Sequence, residues 1–484
     1  LSANLISKVS KKTVWVIGVF FFLAINVNNL IYYNDARFPI NMNLGIKVML
    51  TVCFVVAAII VGIILWVLIH KLDERRSLPW ILAAAFLVRL LWILAVRTPP
   101  VQDYQDIYQA SLAFASGQKD FSVTSHYLYL YPYMIGFVLY QGMIIKVVGA
   151  KIMFLKFLNV VFSTLTVWLT ARIAKRIFSP RAGLAAALMM TIYVPNIVIN
   201  SILTNDILST LLFLWALDIF IDERFNYKRG IAVGVLLFCG SFLRPLASIL
   251  ILAILLYGLF IKLWQQPLKP VYLIALFLIP VSYSLVSVGT DQTLLRSNIS
   301  SQSFRTVNQY WKFAEGLNAK TNGYWSSDDY AYVSSGKTAA ERDRRSKKLL
   351  NQRLSHPQTV TRLFVSKFAA MWSDLDSNLS WATKETKGFG SSKLLLIVLC
   401  ILQKSVYMCF CGMILWLLLS GKIPEAGYLM VIIALGYILI HEGIEIQTRY
   451  RYFIMPAFMI LAAGGFDNDS MSEIMQKFTG SFFA

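Results

Sequence analysis

Long apolar runs, repeated along most of the chain, constrain this sequence more than any other feature. IKVMLTVCFVVAAIIVGIILWVLIH (46–70) and KLLLIVLCILQKSVYMCFCGMILWLLLSG (393–421) are two of them. A helix of roughly 18 to 25 such residues crosses about 30 Å of hydrocarbon, so each run is long enough to span a bilayer. Composition agrees: 57% of the 484 residues are hydrophobic and 14% are charged, where a water-soluble domain averages about 25% charged. The mean hydropathy is +0.62. The expected fold class is an all-α polytopic membrane protein with about 12 transmembrane helices.

The runs place spans near 13–33, 46–70, 79–97, 152–172, 183–201, 205–221, 231–245, 247–264, 270–289, 394–418, 426–443 and 450–465. The basic start LSANLISKVSKK resembles that of a signal peptide, but the run behind it lacks a small-residue cleavage site and reads as a retained span. Basic turns fall on one side of this scheme if the N-terminus is cytoplasmic, for instance Lys71, Arg75 and Arg76, and Arg172, Lys175 and Arg176. YPYMIGFVLYQGMIIKVVG (131–149) is apolar enough to span, but a thirteenth crossing would invert the later basic turns. It is assigned to an interfacial or re-entrant helix of the outer loop. Five segments follow: two extra N-terminal helices (1–78), a transmembrane core (79–289) including a first outer loop (98–151), a second outer loop (290–393), C-terminal helices (394–465) and a cytoplasmic tail (466–484). Both termini are expected to be cytoplasmic, in a multi-pass protein of the cell membrane.

Several functions are disfavoured. The net charge of +20 sits largely in short turns, where it orients a membrane protein, and no aromatic-interleaved basic motif suggests nucleic acid. All five cysteines lie in apolar runs, and the four histidines form no ligand spacing, so neither a disulfide framework nor a zinc site is expected.

The stretch RTPPVQDYQDIYQ (97–109) sets two carboxylates at the lip of the bilayer. Pro99 and Pro100 end a span, and the following residues read as a helix closed by Gly117. Asp103 and Asp106 lie roughly 60° apart on one face, with Tyr104, Tyr108 and Leu112 on another. Such acids can take a proton from an acceptor hydroxyl or hold a divalent cation, or they can simply complement the helix dipole. Three arginines on the same outer side, Arg244, Arg449 and Arg451, run against the orientation bias and suit an anionic headgroup phosphate. Asp206 is read as a helix cap. Arg89, in mid-span, is paired provisionally with Glu442 or Glu445. In the second loop, residues 338–354 read as a basic amphipathic helix, and 356–372 as a further helix near the surface.

In order along the chain, these pieces resemble the bacterial members of the glycosyltransferase C superfamily, relatives of the protein O-mannosyltransferases and aminoarabinose transferases (glycosyltransferase family 39-like). The resemblance rests on LVRLLWILAVRTPPVQDYQDIYQASLAFASG, YLYLYPYMIGFVLY, FLNVVFSTLTVWLTARIAKRIFSPRAG, TNDILSTLLFLWALDIF, LLFCGSFLRP and RYRYFIMPAFMILAAGG, spread over residues 79–465. Two departures stand out. The frequent Asp-Glu pair of the family is Asp103-Tyr104 here, leaving Asp106 as the nearby second acid, and two additional spans precede the unit.

The resemblance implies a transferase that moves a sugar from a polyprenyl-phosphate donor to a glycan, lipid or protein acceptor outside the membrane. Asp103, with Asp106 beside it, is the implied catalytic acid-base group, and displacement at the anomeric carbon inverts its configuration. Arg244, Arg449 and Arg451 are the implied donor-phosphate ligands; Tyr104, Asp206, Glu442 and Tyr450 are candidate lining residues. A metal requirement is left open, with Mg²⁺ or Mn²⁺ the candidate ion. The rival readings are a flippase for a lipid-linked saccharide and a polysaccharide polymerase or ligase.

Overall fold

The computed structural model describes residues 3–32, 43–118, 126–266, 268–306, 308 and 310–467; most of the expected cytoplasmic tail lies outside them. The described residues are helical throughout, joined by turns. In chain order the principal helices are α1 (Ala3–Ile31), α2 (Leu44–Lys71), α3 (Glu74–Ala95), α4 (Asp103–Ala115), α5 (Ile135–Val148), α6 (Ile152–Ile177), α7 (Pro180–Ile192), α8 (Asp206–Phe220) and α9 (Tyr227–Leu243). They continue with α10 (Ala247–Tyr257), α11 (Lys269–Arg296), α12 (Ser327–Ser334), α13 (Ala339–Leu354), α14 (Pro357–Ser373), α15 (Lys393–Ser420), α16 (Gly427–Gly443) and α17 (Met455–Phe466).

The polytopic all-α architecture stands, and every expected span falls on a helix. Among the described residues, seven helices are long and apolar enough to cross a membrane, or eight if the bent pair Pro180–Ile192 and Val194–Ser201 is one span, and shorter apolar helices accompany them. Among the shorter apolar helices, α17 is enclosed by protein. All twelve residues of α17 are buried, so its length is set by its neighbours and not by the lipid. In contrast α2 turns Val48, Val52, Val56, Ile59 and Ile60 outward, as a helix solvated by hydrocarbon should.

The two N-terminal helices are integral to the bundle. α1 packs along α15, where Trp15 Nε1 donates to the Leu418 carbonyl (2.6 Å), Asn26 Nδ2 to the Cys411 carbonyl (3.0 Å) and Lys404 Nζ to Asn29 Oδ1 (2.9 Å). Each bond satisfies a polar group that the apolar interior could not otherwise solvate.

Residues 131–149 form a 3₁₀ turn and the 14-residue α5, which packs on α4 and on the end of α9. In the second loop, α13 is joined to α12 by the Arg353–Asp329 ion pair (2.7 Å). Its successor α14 departs from the expected surface position. The first half is exposed, but Lys367 and the run Ala369–Ser373 are buried, with Trp372 stacked on Phe458 at 5.8 Å. Lys367 Nζ donates to the carbonyls of Gly316 (2.8 Å), Glu442 (2.9 Å) and Ile444 (2.6 Å). That lysine therefore clamps the second loop onto the chain leaving α16.

Candidate active site

Three segments far apart in sequence build the site. The first is the start of α4. Lys156 Nζ donates to the Thr98 carbonyl (2.6 Å) and Thr98 Oγ1 to Ser201 Oγ (2.9 Å), fixing the chain just before the Pro99-Pro100 break. Gln102 then takes φ +52°, a region costly for a residue with a Cβ. This turn starts α4 with Asp103 and Asp106 in its first turn, both exposed, while Tyr104, Ile107 and Tyr108 are buried. Asp103 lies within electrostatic reach of Arg449, Tyr127 and Tyr330, and Asp106 of Tyr330. The tyrosine-rich helix α12 thus faces both acids.

The second segment follows the break in α7. Pro195, lacking an amide hydrogen, is the second residue of the short helix Val194–Val198, and the chain bends by 66° there. The polar run beyond it ends at Asp206, the first residue of α8. Its carboxylate does not act as the expected cap; Asn205 is the N-cap residue and makes no side-chain capping bond. Asp206 instead accepts from Thr204 Oγ1 (2.6 Å) and pairs with Arg244 Nη1, the residue that ends α9. Asn205 Nδ2 braces the same junction through the Leu243 carbonyl (2.7 Å).

The third segment is the 3₁₀ turn Thr448–Phe453. On it Arg449 and Arg451 point in different directions. Arg449 Nη1 donates to Tyr104 Oη and Nε to Gln447 Oε1 (2.6 Å), and its guanidinium lies 5.5, 5.0 and 5.2 Å from the rings of Tyr104, Trp381 and Tyr450. Tyr450 also carries Arg244 at 5.0 Å on its ring, so the two cations share one aromatic partner. Burial, opposed by Arg449, raises the Tyr104 pKa, which keeps the phenol neutral at physiological pH.

Arg451 is elsewhere. Its Nη2 donates to the Asp374 carbonyl (3.0 Å), its Nε is 3.6 Å from Asp376 Oδ2, and it lies over the Tyr407 ring at 4.8 Å. These residues and Lys404 line a cavity of about 10 Å³, the space of one water. Glu442 is also outside the cluster, where Lys367 Nζ donates to its backbone carbonyl (2.9 Å). The expected partners of Arg89 are wrong: it donates to Ser163 Oγ (2.8 Å) and to the carbonyls of Ala85 (2.9 Å) and Met190 (2.8 Å). Three hydrogen bonds, two of them to backbone oxygens, solvate this cation within the bundle, while Glu445 is engaged with Lys312.

That engagement extends the site in a direction not evident from the sequence. Lys312 Nζ bridges Glu315 (2.9 Å) and Glu445 (2.5 Å), Gln447 Nε2 donates to Glu445 Oε1 (2.9 Å), and Gln447 passes the chain to Arg449. Lys312 thus faces two buried carboxylates, and their pKa values are pushed apart. Burial pushes Glu315 up to about 8. Burial also works to raise Glu445, but Lys312, Gln447 and Arg449 together hold it below its ordinary value.

The sign of the pH effect follows. Folded Glu315 binds its proton more tightly than the unfolded group, so its stabilisation is complete below the ordinary 4.5 and is lost as pH rises through about 8. The melting temperature is expected to fall between about pH 5 and 8 and to level off above that, and Glu315→Gln to flatten the decline. An unchanged slope in the variant would contradict a proton held on Glu315.

Sequence reasoning missed Thr204, Lys312, Glu315, Gln447 and Trp381. Lys312 and Glu315 did leave a trace, as an i, i+3 pair of opposite charge in the otherwise apolar WKFAEG. No three His, Cys, Asp or Glu side chains among the described residues converge as a ligand set, and no step below passes through a metal.

Part of the chain matches a known family. The chain is a multi-pass membrane protein, and residues 131–286 match the family model described as dolichyl-phosphate-mannose-protein mannosyltransferase. The match supports a membrane glycosyltransferase of the C type. It runs from the start of the α5 region into α11, so it includes Asp206 and Arg244 and stops short of Asp103 and Arg449. No curated protein matches the chain.

Proposed function

We propose that this protein transfers a sugar from a polyprenyl-phosphate donor to a hydroxyl of a cell-surface glycan or lipid, with inversion at the anomeric carbon. The observation that carries the proposal is the meeting of Arg449 with Tyr104, 345 residues apart, one residue from the exposed Asp103. In this reading Asp103 takes the proton of the acceptor hydroxyl as its oxygen bonds to the anomeric carbon. The bond from that carbon to the phosphate oxygen breaks, and the departing lipid phosphate gains a negative charge. Arg449 and Arg244 stabilise that charge. Both are already oriented by aromatic faces and hydrogen bonds, so little reorganisation is needed as the charge grows.

Asp206 keeps Arg244 in place, and Tyr104 and Gln447 keep Arg449 in place. We assign Arg451 to holding the Thr448–Phe453 turn against Asp374 and Asp376, not to the donor. α12 covers the acceptor, with Tyr330 over the two acids. The basic turns lie in the cytoplasm, and the site opens outside.

Transfer of labelled sugar from a synthetic polyprenyl-phosphate donor, with the protein in detergent, tests this reading. A covalent product is expected. Lipid translocation in vesicles without product would instead identify a flippase, and turnover only with a diphosphate-linked glycan a ligase; either result overturns the proposal.

A further inference from the structure

The α8–α9 hairpin has a second charged end. Its first end carries Asp206 and Arg244; the other, about 22 Å away along α8, closes a groove of about 320 Å³. Arg172 and Arg176 reach into it from the last turns of α6, Asp218 and Asp222 from the end of α8, Arg224 from the turn, and Lys228 and Arg229 from the first turn of α9. Five cations against two carboxylates leave three positive charges in excess. Asp218 is satisfied by Arg176 (2.7 Å) and Arg172 (3.2 Å), and Asp222 by Arg224 (3.2 Å) and Arg229.

Basic turns alone only orient a membrane protein. Here they enclose a hollow of ligand size, and two tryptophans mark its level. Trp215 lines the groove with 51% of its surface exposed, and Trp168 carries the Arg172 guanidinium at 5.4 Å from its ring. Indoles so placed sit at headgroup depth, and basic pockets between helices at that depth suit lipid phosphates. Ile219 and Ala232 add an apolar wall.

We infer that this groove binds the phosphate of an anionic phospholipid, on the leaflet opposite the transferase site. The site is separate from the reaction proposed above, and its failure would leave that reading untouched.

The test is lipid retention by the full chain in detergent, read by native mass spectrometry, with phosphatidylglycerol and phosphatidylcholine of matched acyl chains. Wild type is expected to retain phosphatidylglycerol at least about tenfold more strongly. Arg224→Gln with Lys228→Gln should lower that preference about tenfold, and these exposed side chains can be changed while Asp222 keeps Arg229. The same change at Lys8 and Lys12, exposed and outside the groove, should leave the preference intact. Equal retention of the two lipids, a groove variant like wild type, or an equal loss in the Lys8/Lys12 control would each overturn the proposal. Inorganic phosphate is the third arm: failure to compete supports a lipid ligand, whereas full competition would mean a site for free phosphate instead.

Discussion

Asn in place of Asp103 is expected to lower sugar transfer by roughly 10²- to 10⁴-fold, the usual contribution of a positioned general base. Folding should change little, because the side chain is exposed on the first turn of α4. Loss of its favourable interaction with the helix dipole costs at most about 1 kcal/mol. Asp106→Asn, one turn further along the same face, is the matched comparison. It retains the fold and is expected to lose less than about tenfold, since the Tyr104–Arg449 contact adjoins Asp103 and not Asp106. Single-turnover rates with saturating donor separate the chemical step from binding. Retention of more than a tenth of wild-type rate by the Asp103 variant would remove the base from the mechanism.

The second large effect concerns the Asp206–Arg244 pair. Arg244→Gln leaves Asp206, 2% exposed, as a buried carboxylate without its cation. Loss of one partner from such a pair typically costs about 3–5 kcal/mol, so Arg244→Gln should both destabilise the protein and abolish transfer. Those two losses can be pulled apart. Replacing both residues, Arg244→Met with Asp206→Leu, removes the uncompensated charge and should restore most of the stability, as apolar replacement of a buried ion pair often does. Transfer should stay absent, because the cation proposed to stabilise the departing phosphate is gone. Denaturant unfolding in detergent reads the first quantity and labelled transfer the second. A double variant that is stable and active would show that Arg244 serves only the fold.

Much of the fold was legible because the bilayer imposes a simple rule. A stretch of about twenty apolar residues has to be a helix when no water is present to satisfy its backbone. That rule located α2, α3, α6 and α15 to within about five residues of their ends, but began α1 ten residues late and ended α11 seven residues early. It does not tell how a later helix is surrounded, because a helix enclosed by others, such as α17, has the same composition as one facing lipid. The exterior acids were legible for a related reason: a carboxylate beside a span is costly enough to stand out. Asp206 was noticed on those grounds and given the wrong role, since a cap and a buried ion pair look alike until the partner is known.

Read from the residues alone, this chain had to be a helical membrane protein with acids and arginines gathered on one side. Helix length, charge and turn chemistry are local properties, and they suffice for that. Which cation meets which acid was decided in three dimensions. The 3₁₀ turn at Thr448–Phe453 sends Arg449 to Tyr104 and Arg451 to Asp376, although the two arginines are a single residue apart in the sequence. Glu445 meets the i, i+3 pair Lys312 and Glu315 only because the second loop is clamped onto the chain leaving α16. Pairings of this kind depend on backbone winding and long-range packing, which no local pattern encodes.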